Sequence, residues 1–366
     1  MILKDLVLNQ KINLVGRTYF DSDLLYTNFS GSGIKCKVES NVFNITFYAT
    51  KYDDSNNRPY ISILIDGNRT DYDLDSEFKT IEIILTEGMH NIEVLKRTES
   101  SVSQVAIKSV SADNFYTIED DSKLKIEYYG DSLTCGFGTL STNPNEPFTT
   151  KTESFLDGYS YMLAKKLNAQ YSAISVSGFP IYKSRWNQGF LLDSVADMIS
   201  ISSYQDEYSL ESAPIWDNKA YIPDLVIINL GTNDESYFTP GQDWVDNLVK
   251  ELGSYEAVKE HETFKKHLVG LKTRTIKFLE DLHKVYGDDL KVLYIIGMLW
   301  CSNFIYDTLE AAVKEYNKVN VYFHKLKEPV EGDVFGAVWH PSRLMHEKTC
   351  EEIYDVIKTR IFNEEL

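Results

Sequence analysis

The chain has 366 residues and a formal net charge of −18, which is length enough for two domains with sizeable cores and the wrong sign for phosphate-rich partners. Nucleic acid and anionic membrane surfaces are bound through clustered Lys and Arg, so neither is expected as a partner. The four cysteines, Cys36, Cys135, Cys301 and Cys350, are widely spaced with no Cys-x-x-Cys pair, a pattern of free thiols and not of a disulfide framework or thiolate metal site.

Taken in order, the first residues, Met1-Ile2-Leu3-Lys4-Asp5-Leu6, are broken by charges before an apolar core develops, so no signal peptide is read. No run approaches transmembrane length. Asn-x-Ser/Thr sequons begin at Asn28, Asn44 and Asn68, but without a leader they do not argue for secretion. The expected location is cytoplasmic, unless a leader preceded this sequence.

From Ile12 to Phe115 short β-like runs are separated by Gly, Asn, Asp and Ser. Val42 to Tyr48, Tyr60 to Ile65, Thr80 to Leu85 and Asn91 to Leu95 alternate apolar and polar residues, with turns at Asp66-Gly67 and Glu87-Gly88. Such punctuation predicts an antiparallel jelly-roll sandwich. After Asp120-Asp121-Ser122 the rhythm changes. Strand candidates at Leu124 to Tyr129, Tyr171 to Val176, Leu225 to Leu230, Val292 to Ile296 and Val319 to Phe323 alternate with amphipathic runs at Tyr159 to Leu167, Glu262 to Tyr286, Leu309 to Asn317 and Met345 to Phe362. This pattern predicts an α/β/α domain on a five-stranded parallel sheet. The expected division is 1–118 for the sandwich and 119–366 for the second domain, joined too tightly for a flexible linker. Gln205 to Asp217 is polar and irregular and reads as a loop near the site.

Gly130-Asp131-Ser132-Leu133 stands where the first of these strands ends, the place where open α/β sheets carry their chemistry. Ser132 is therefore the candidate nucleophile, which needs a neighbouring base and donors for the oxyanion it creates. No Gly-x-Ser-x-Gly elbow is present. Among seven histidines, His261, His267 and His283 fall in a charged helical stretch and read as solvated surface, His90 belongs to the sandwich, and His324 ends the last strand. His340 differs: it follows Trp339 in a loop and precedes Pro341, which can open the final helix. His346 reads as structural. His261-Glu262 lacks the second histidine of a zinc helix, so no metal and no cofactor are expected.

Gly130-Asp131-Ser132-Leu133, Gly178, Gly231-Thr232-Asn233-Asp234 and Trp339-His340-Pro341, in this order, resemble the blocks of the SGNH (GDSL) hydrolases, whose domain is flavodoxin-like. The resemblance implies Ser132 as nucleophile, His340 as base, and an oxyanion hole of the Ser132 and Gly178 N–H groups with the Asn233 amide. Asn233 and Asp234 also read independently as a helix-capping pair, and Asp131 and Asp234 as braces. Val15-Gly16-Arg17, Phe29 to Gly33, Ile65-Asp66-Gly67 and Glu87 to Glu99 look like the N-terminal domain of family-two carbohydrate esterases, which remove acetyl groups from saccharides. Trp300 and Trp339 then become candidate sugar platforms, while Trp186, Trp216 and Trp244 are as readily core residues.

One departure stands out. SGNH hydrolases usually place an aspartate three residues before the histidine, where this chain has Ala337. Asp333 and Glu331 do not match the spacing, so a Ser132-His340 dyad is expected, with the imidazole held by a backbone carbonyl. The expected activity is removal of O-acetyl groups from carbohydrates. An acyltransferase or simple-lipid esterase would use the same residues, and a non-catalytic carbohydrate-binding protein would not need them.

Overall fold

Alternate residues of Val42–Ala49 (Phe43, Ile45, Phe47 and Ala49) are buried and their neighbours are not, as a strand with one face on a core requires. The computed structural model describes residues 2–119, 121–186, 191–206 and 208–363. Two antiparallel sheets form the N-terminal sandwich. One runs in the spatial order Ile12–Val15, Gly33–Glu39, Met89–Lys96, Tyr60–Ile65, Asn68–Asp73, with Asn114–Tyr116 also on Gly33–Glu39. The other is Tyr19–Asp21, Leu24–Tyr26, Val105–Ser111, Val42–Ala49, Phe78–Ile84. A helix at Leu3–Leu8, not anticipated from the charged N-terminus, places Leu3 and Leu6 in the sandwich core.

In the second layer, strands numbered along the chain are β1 (Leu124–Gly130), β2 (Ala169–Ser175), β3 (Leu225–Asn229), β4 (Lys291–Ile296) and β5 (Val321–Lys325). They pair in parallel in the order β2-β1-β3-β4-β5. All five residues of β3 are buried, because helices cover both faces of the sheet. The last strand begins two residues later than expected, at Val321. The strand order reverses on either side of β1, and the crevice at the carboxyl ends of β1, β2 and β3 is the switch point of such sheets.

The long helix Glu262–Tyr286 buries Phe264, Leu271, Phe278, Leu279 and Leu282, and with them His283, whose Nδ1 donates to the Leu279 carbonyl at 2.9 Å. His267 packs against Tyr237 and Trp244. Both histidines thus sit away from the solvated face expected for them, because the inward stripe of this helix admits them between its larger apolar residues. The short helices Thr232–Phe238, Asp243–Leu252 and Tyr255–Glu260 carry too few turns to stand out in the sequence pattern.

The sandwich and the α/β layer share apolar cores. Val15, Leu64 and Leu95 pack with Leu124, Ile126 and Tyr128, and Phe29 joins the cluster of Tyr129 and Ile174. Arg17, fully buried, donates to Glu127 of β1 at 2.9 Å and to the carbonyls of Met198 and Ile201. Asp120, at the expected domain junction, lies outside the described residues.

Candidate active site

At the end of β1 the chain turns abruptly into a four-residue helix, Ser132–Cys135. Asp131 caps it, its Oδ1 accepting the Leu133 N–H at 3.0 Å, an arrangement that Asp favours at helix starts. Gly130 is required by contact: a Cβ there would lie 2.0 Å from Thr134 Oγ1. Ser132 is the first helical residue, so its N–H has no acceptor within the helix and is available to an anion.

Ser132 Oγ lies 3.0 Å from His340 Nε2. His340 Nδ1 lies 3.0 Å from the Val338 carbonyl. A carbonyl only accepts, so Nδ1 carries the proton, Nε2 is left with its lone pair, and the Ser132 hydroxyl donates to it. Burial pushes the His340 pKa down to about 4, partly beneath the Phe137 ring, whose centroid is 4.3 Å from the imidazole. The imidazole is therefore neutral at pH 7.

The carbonyl that holds His340 is delivered by unusual backbone. Val338 (φ 53°) and Trp339 (φ 58°) both lie in the left-handed region, which a β-branched residue seldom enters. Three backbone bonds from the loop after Ser132 hold them there: Ala337 N–H to Gly138, Val338 N–H to Glu146 and Trp339 N–H to Pro144. Asp333 is engaged elsewhere, with Lys348 and the Val330 N–H. No carboxylate among the described residues bonds to His340.

Gly178 follows β2 at φ 81°, third in a turn closed by Phe179 N–H on the Val176 carbonyl; glycine suits this position because it requires positive φ. No group among the described residues accepts the Gly178 N–H. Asn233 follows β3, with its Nδ2 2.8 Å from Asp131 Oδ2 and 3.2 Å from the Phe179 carbonyl. The helix there is capped by Gly231, so the expected capping pair is not formed. Asp234 instead accepts the N–H groups of Ile181, Tyr182 and Lys183, and with Asp131 braces the three loops. Burial raises the pKa of Asp131 to about 7 and of Asp234 to about 6.

Aromatic residues flank this centre. Trp300 and Trp339, 56% and 54% exposed, both pack on Phe335, at centroid distances of 5.4 and 5.5 Å. Trp186 is 63% exposed and lies against Gly178, whereas Trp216 and Trp244 are partly buried. Beside Gly178 a pocket of about 390 Å³ is lined by Asn57 and Ser101 of the sandwich and by Ser177, Trp186 and Asp206. Asp206 belongs to the stretch expected as a loop, and its neighbour Glu207 lies outside the described residues. The sequence reading missed Phe137 and the sandwich residues: neither belongs to the motif blocks, although Phe137 stands only five residues after Ser132.

The family model for the carbohydrate esterase 2 N-terminal domain matches residues 14–118, and that for the GDSL-like lipase/acylhydrolase matches residues 126–352. The chain is 24% identical over 345 residues to a cellulase/esterase, CelE, of Acetivibrio thermocellus, covering 90% of this chain and 38% of that protein. It is 28% identical over 238 residues to an acetylxylan esterase/glucomannan deacetylase of Cellvibrio japonicus, covering 63% of this chain and 62% of that one. A solved family-two carbohydrate esterase from Clostridium thermocellum, in complex with cellohexaose, superposes with a TM-score of 0.79 at 22% identity over 96% of this chain and 99% of the other. The chain belongs to the GDSL-like lipase/acylhydrolase family, and its N-terminal sandwich is the carbohydrate esterase 2 domain.

Proposed function

We propose that the protein is a serine esterase that removes O-acetyl groups from carbohydrates. The observation that carries this reading is the 3.0 Å contact between Ser132 Oγ and the unprotonated Nε2 of His340. Ser132 Oγ attacks the acetyl carbonyl carbon as its proton passes to His340 Nε2. The Ser132 and Gly178 N–H groups and the Asn233 amide face the oxyanion, where preorganised donors act most strongly. Collapse breaks the bond to the sugar oxygen, which takes the proton from His340. Water, deprotonated by the same Nε2, then attacks the acyl-enzyme and releases acetate and Ser132.

Imidazolium in this site has only the Val338 carbonyl behind it. A carbonyl fixes the tautomer but gives less charge stabilisation than a carboxylate. The Asn233 amide reaches the oxyanion by sharing one of the two N–H groups now directed at Asp131 and Phe179.

A saccharide is favoured as substrate because Trp339, which precedes His340 in the chain, and Trp300, packed with it on Phe335, offer flat, exposed rings suited to the C–H faces of sugars. Relatives named for acetylxylan and glucomannan support the same class. The test is acetate release from acetylated xylan and acetylated monosaccharides, with Ser132→Ala alongside. A loss of roughly a thousandfold or more in the folded variant is expected; substantial residual turnover would sink the mechanism.

A further inference from the structure

The stretch Leu95-Lys96-Arg97-Thr98-Glu99 leaves the sandwich and enters the α/β layer instead of returning to solvent. Lys96 and Glu99 are buried. Glu99 Oε2 accepts the Ser177 N–H at 2.8 Å and the Ser101 hydroxyl at 2.8 Å, and Cys135 Sγ lies 3.8 Å away. The Glu99 backbone is held in turn: its N–H donates to Glu153 Oε2 at 3.2 Å, and its carbonyl accepts from Lys96 Nζ. Cys135 closes the helix that Ser132 opens and also contacts Ser175 Oγ at 3.2 Å.

Ser177 is the second residue of the turn whose third residue is Gly178. Fixing the N–H on one side of that turn fixes the direction of the next N–H, the one left without an acceptor. A carboxylate accepting a backbone N–H in a buried site makes a strong, directional bond. The anchor comes from a different domain than the turn it holds.

We infer that Glu99 is a positioning residue: from the sandwich domain, its carboxylate clamps Ser177 so that the Gly178 N–H faces the oxyanion formed on Ser132. This rests on the acyl-enzyme reading above. It gives the sandwich a part in catalysis itself, since the donor geometry of the α/β site depends on a side chain that the α/β layer does not supply.

The experiment compares Glu99→Met, which fills the space but accepts nothing, with Glu99→Gln, whose amide oxygen still accepts the Ser177 N–H. Steady-state kinetics on an acetyl ester are paired with phosphonylation by a nitrophenyl phosphonate, located by mass spectrometry. Glu99→Met is expected to lower kcat by about thirtyfold or more, approaching the loss of an oxyanion donor, with KM changed less than about threefold. Phosphonylation of Ser132 should slow in parallel, and Glu99→Gln should recover most of both losses. A wild type that is not phosphonylated at Ser132 would overturn the acyl-enzyme reading. A wild type that is, with Glu99→Met reacting and turning over at the same rate, would overturn the role of Glu99 alone. Amide exchange in the wild-type protein tests the clamp without any variant: the Ser177 amide should exchange slowly and the Gly178 amide fast, and an equally fast Ser177 amide contradicts it.

Discussion

Asp131 connects the residues of the site, because one carboxylate serves two loops: Oδ1 takes the Leu133 N–H and Oδ2 the Asn233 amide. Asp131→Asn keeps an acceptor for Leu133 but turns an NH2 group toward the Asn233 NH2, so the two amides repel. Turnover is expected to fall by roughly tenfold to a hundredfold with little change in melting temperature, and Asn233→Ala should fall by about a hundredfold or more. If Asn233→Ala alters KM alone, the amide binds substrate and does not stabilise the oxyanion. His340 gives a pH prediction whose sign follows from burial. Its pKa in the folded protein is about 4, and only neutral imidazole accepts the serine proton, so the limb of kcat/KM that His340 controls should fall tenfold per unit below pH 4, apart from any limb near pH 7 that Asp131 contributes. An acidic limb centred near pH 6.5 that persists in Asp131→Asn, as for a solvated histidine, would mean that His340 is not desolvated in the working enzyme. The same depression has a linked effect on stability. As pH falls from 6.5 toward 4 the unfolded chain takes up this proton first, so the contribution of His340 to stability is full above 6.5 and lost through that window.

The strained turn at Ala337–Trp339 does at the level of an element what a third side chain does in a triad. Positive φ at Val338 and Trp339 costs about 1–2 kcal/mol per residue, offset by the three backbone bonds that pin the turn to 138–146. Since the carbonyl and not a carboxylate holds the imidazole, Asp333→Asn and Glu331→Gln, separately and together, are expected to keep kcat within about threefold across the pH profile. A loss of several hundredfold with either amide in a folded protein would show that a carboxylate reaches His340 during turnover. The lack of a carboxylate behind His340 was legible because Ala337 stands where an acid is usual, but the turn was not. Nothing about Val338 marks it for left-handed backbone; its conformation is imposed by a loop two hundred residues earlier in the chain. The strand ends were legible for the opposite reason, each being a continuous apolar run stopped by Gly130, Ser177-Gly178 or Gly231. The burial of His283, read from the sequence as solvated surface, and the short helices were not legible, because a helix with a mixed stripe, and pieces of three turns or fewer, leave little periodic signal.

At the scale of the whole molecule, the sandwich is joined to the α/β layer by groups that are costly to separate. Arg17 and Glu127 are both fully buried, with Tyr129 and Tyr286 hydroxyls completing the network around the carboxylate. Arg69 reaches across to Asp157 at 2.6 Å, Asn28 to Ser203 at 2.7 Å, and Tyr171 back to the Gly31 carbonyl at 2.9 Å. Exposed pairs of this kind contribute little, but breaking a buried ion pair from one side leaves an uncompensated charge and costs about 3–5 kcal/mol. Arg17→Ala in the full chain is therefore expected to lower Tm by about 4–6 °C, since an unfolding entropy of about 2.1 cal/mol/K per residue makes each kcal/mol worth roughly 1.3 °C in a chain of 366 residues. Deleting the residues before Ile118 removes Arg17, Arg69 and Glu99 together and exposes the apolar faces that Val15, Leu64, Leu95 and Phe29 cover. Apolar and charged penalties then act on the same strands, β1 and β2, that carry Ser132 and Gly178. The truncated protein should show no cooperative thermal transition near that of the full chain, and calorimetry beside an acetyl-ester assay measures both consequences. If it melts at the same temperature and turns over at the same rate, the sandwich is a detachable module, and the buried contacts across the junction are not what holds the α/β layer in its active form.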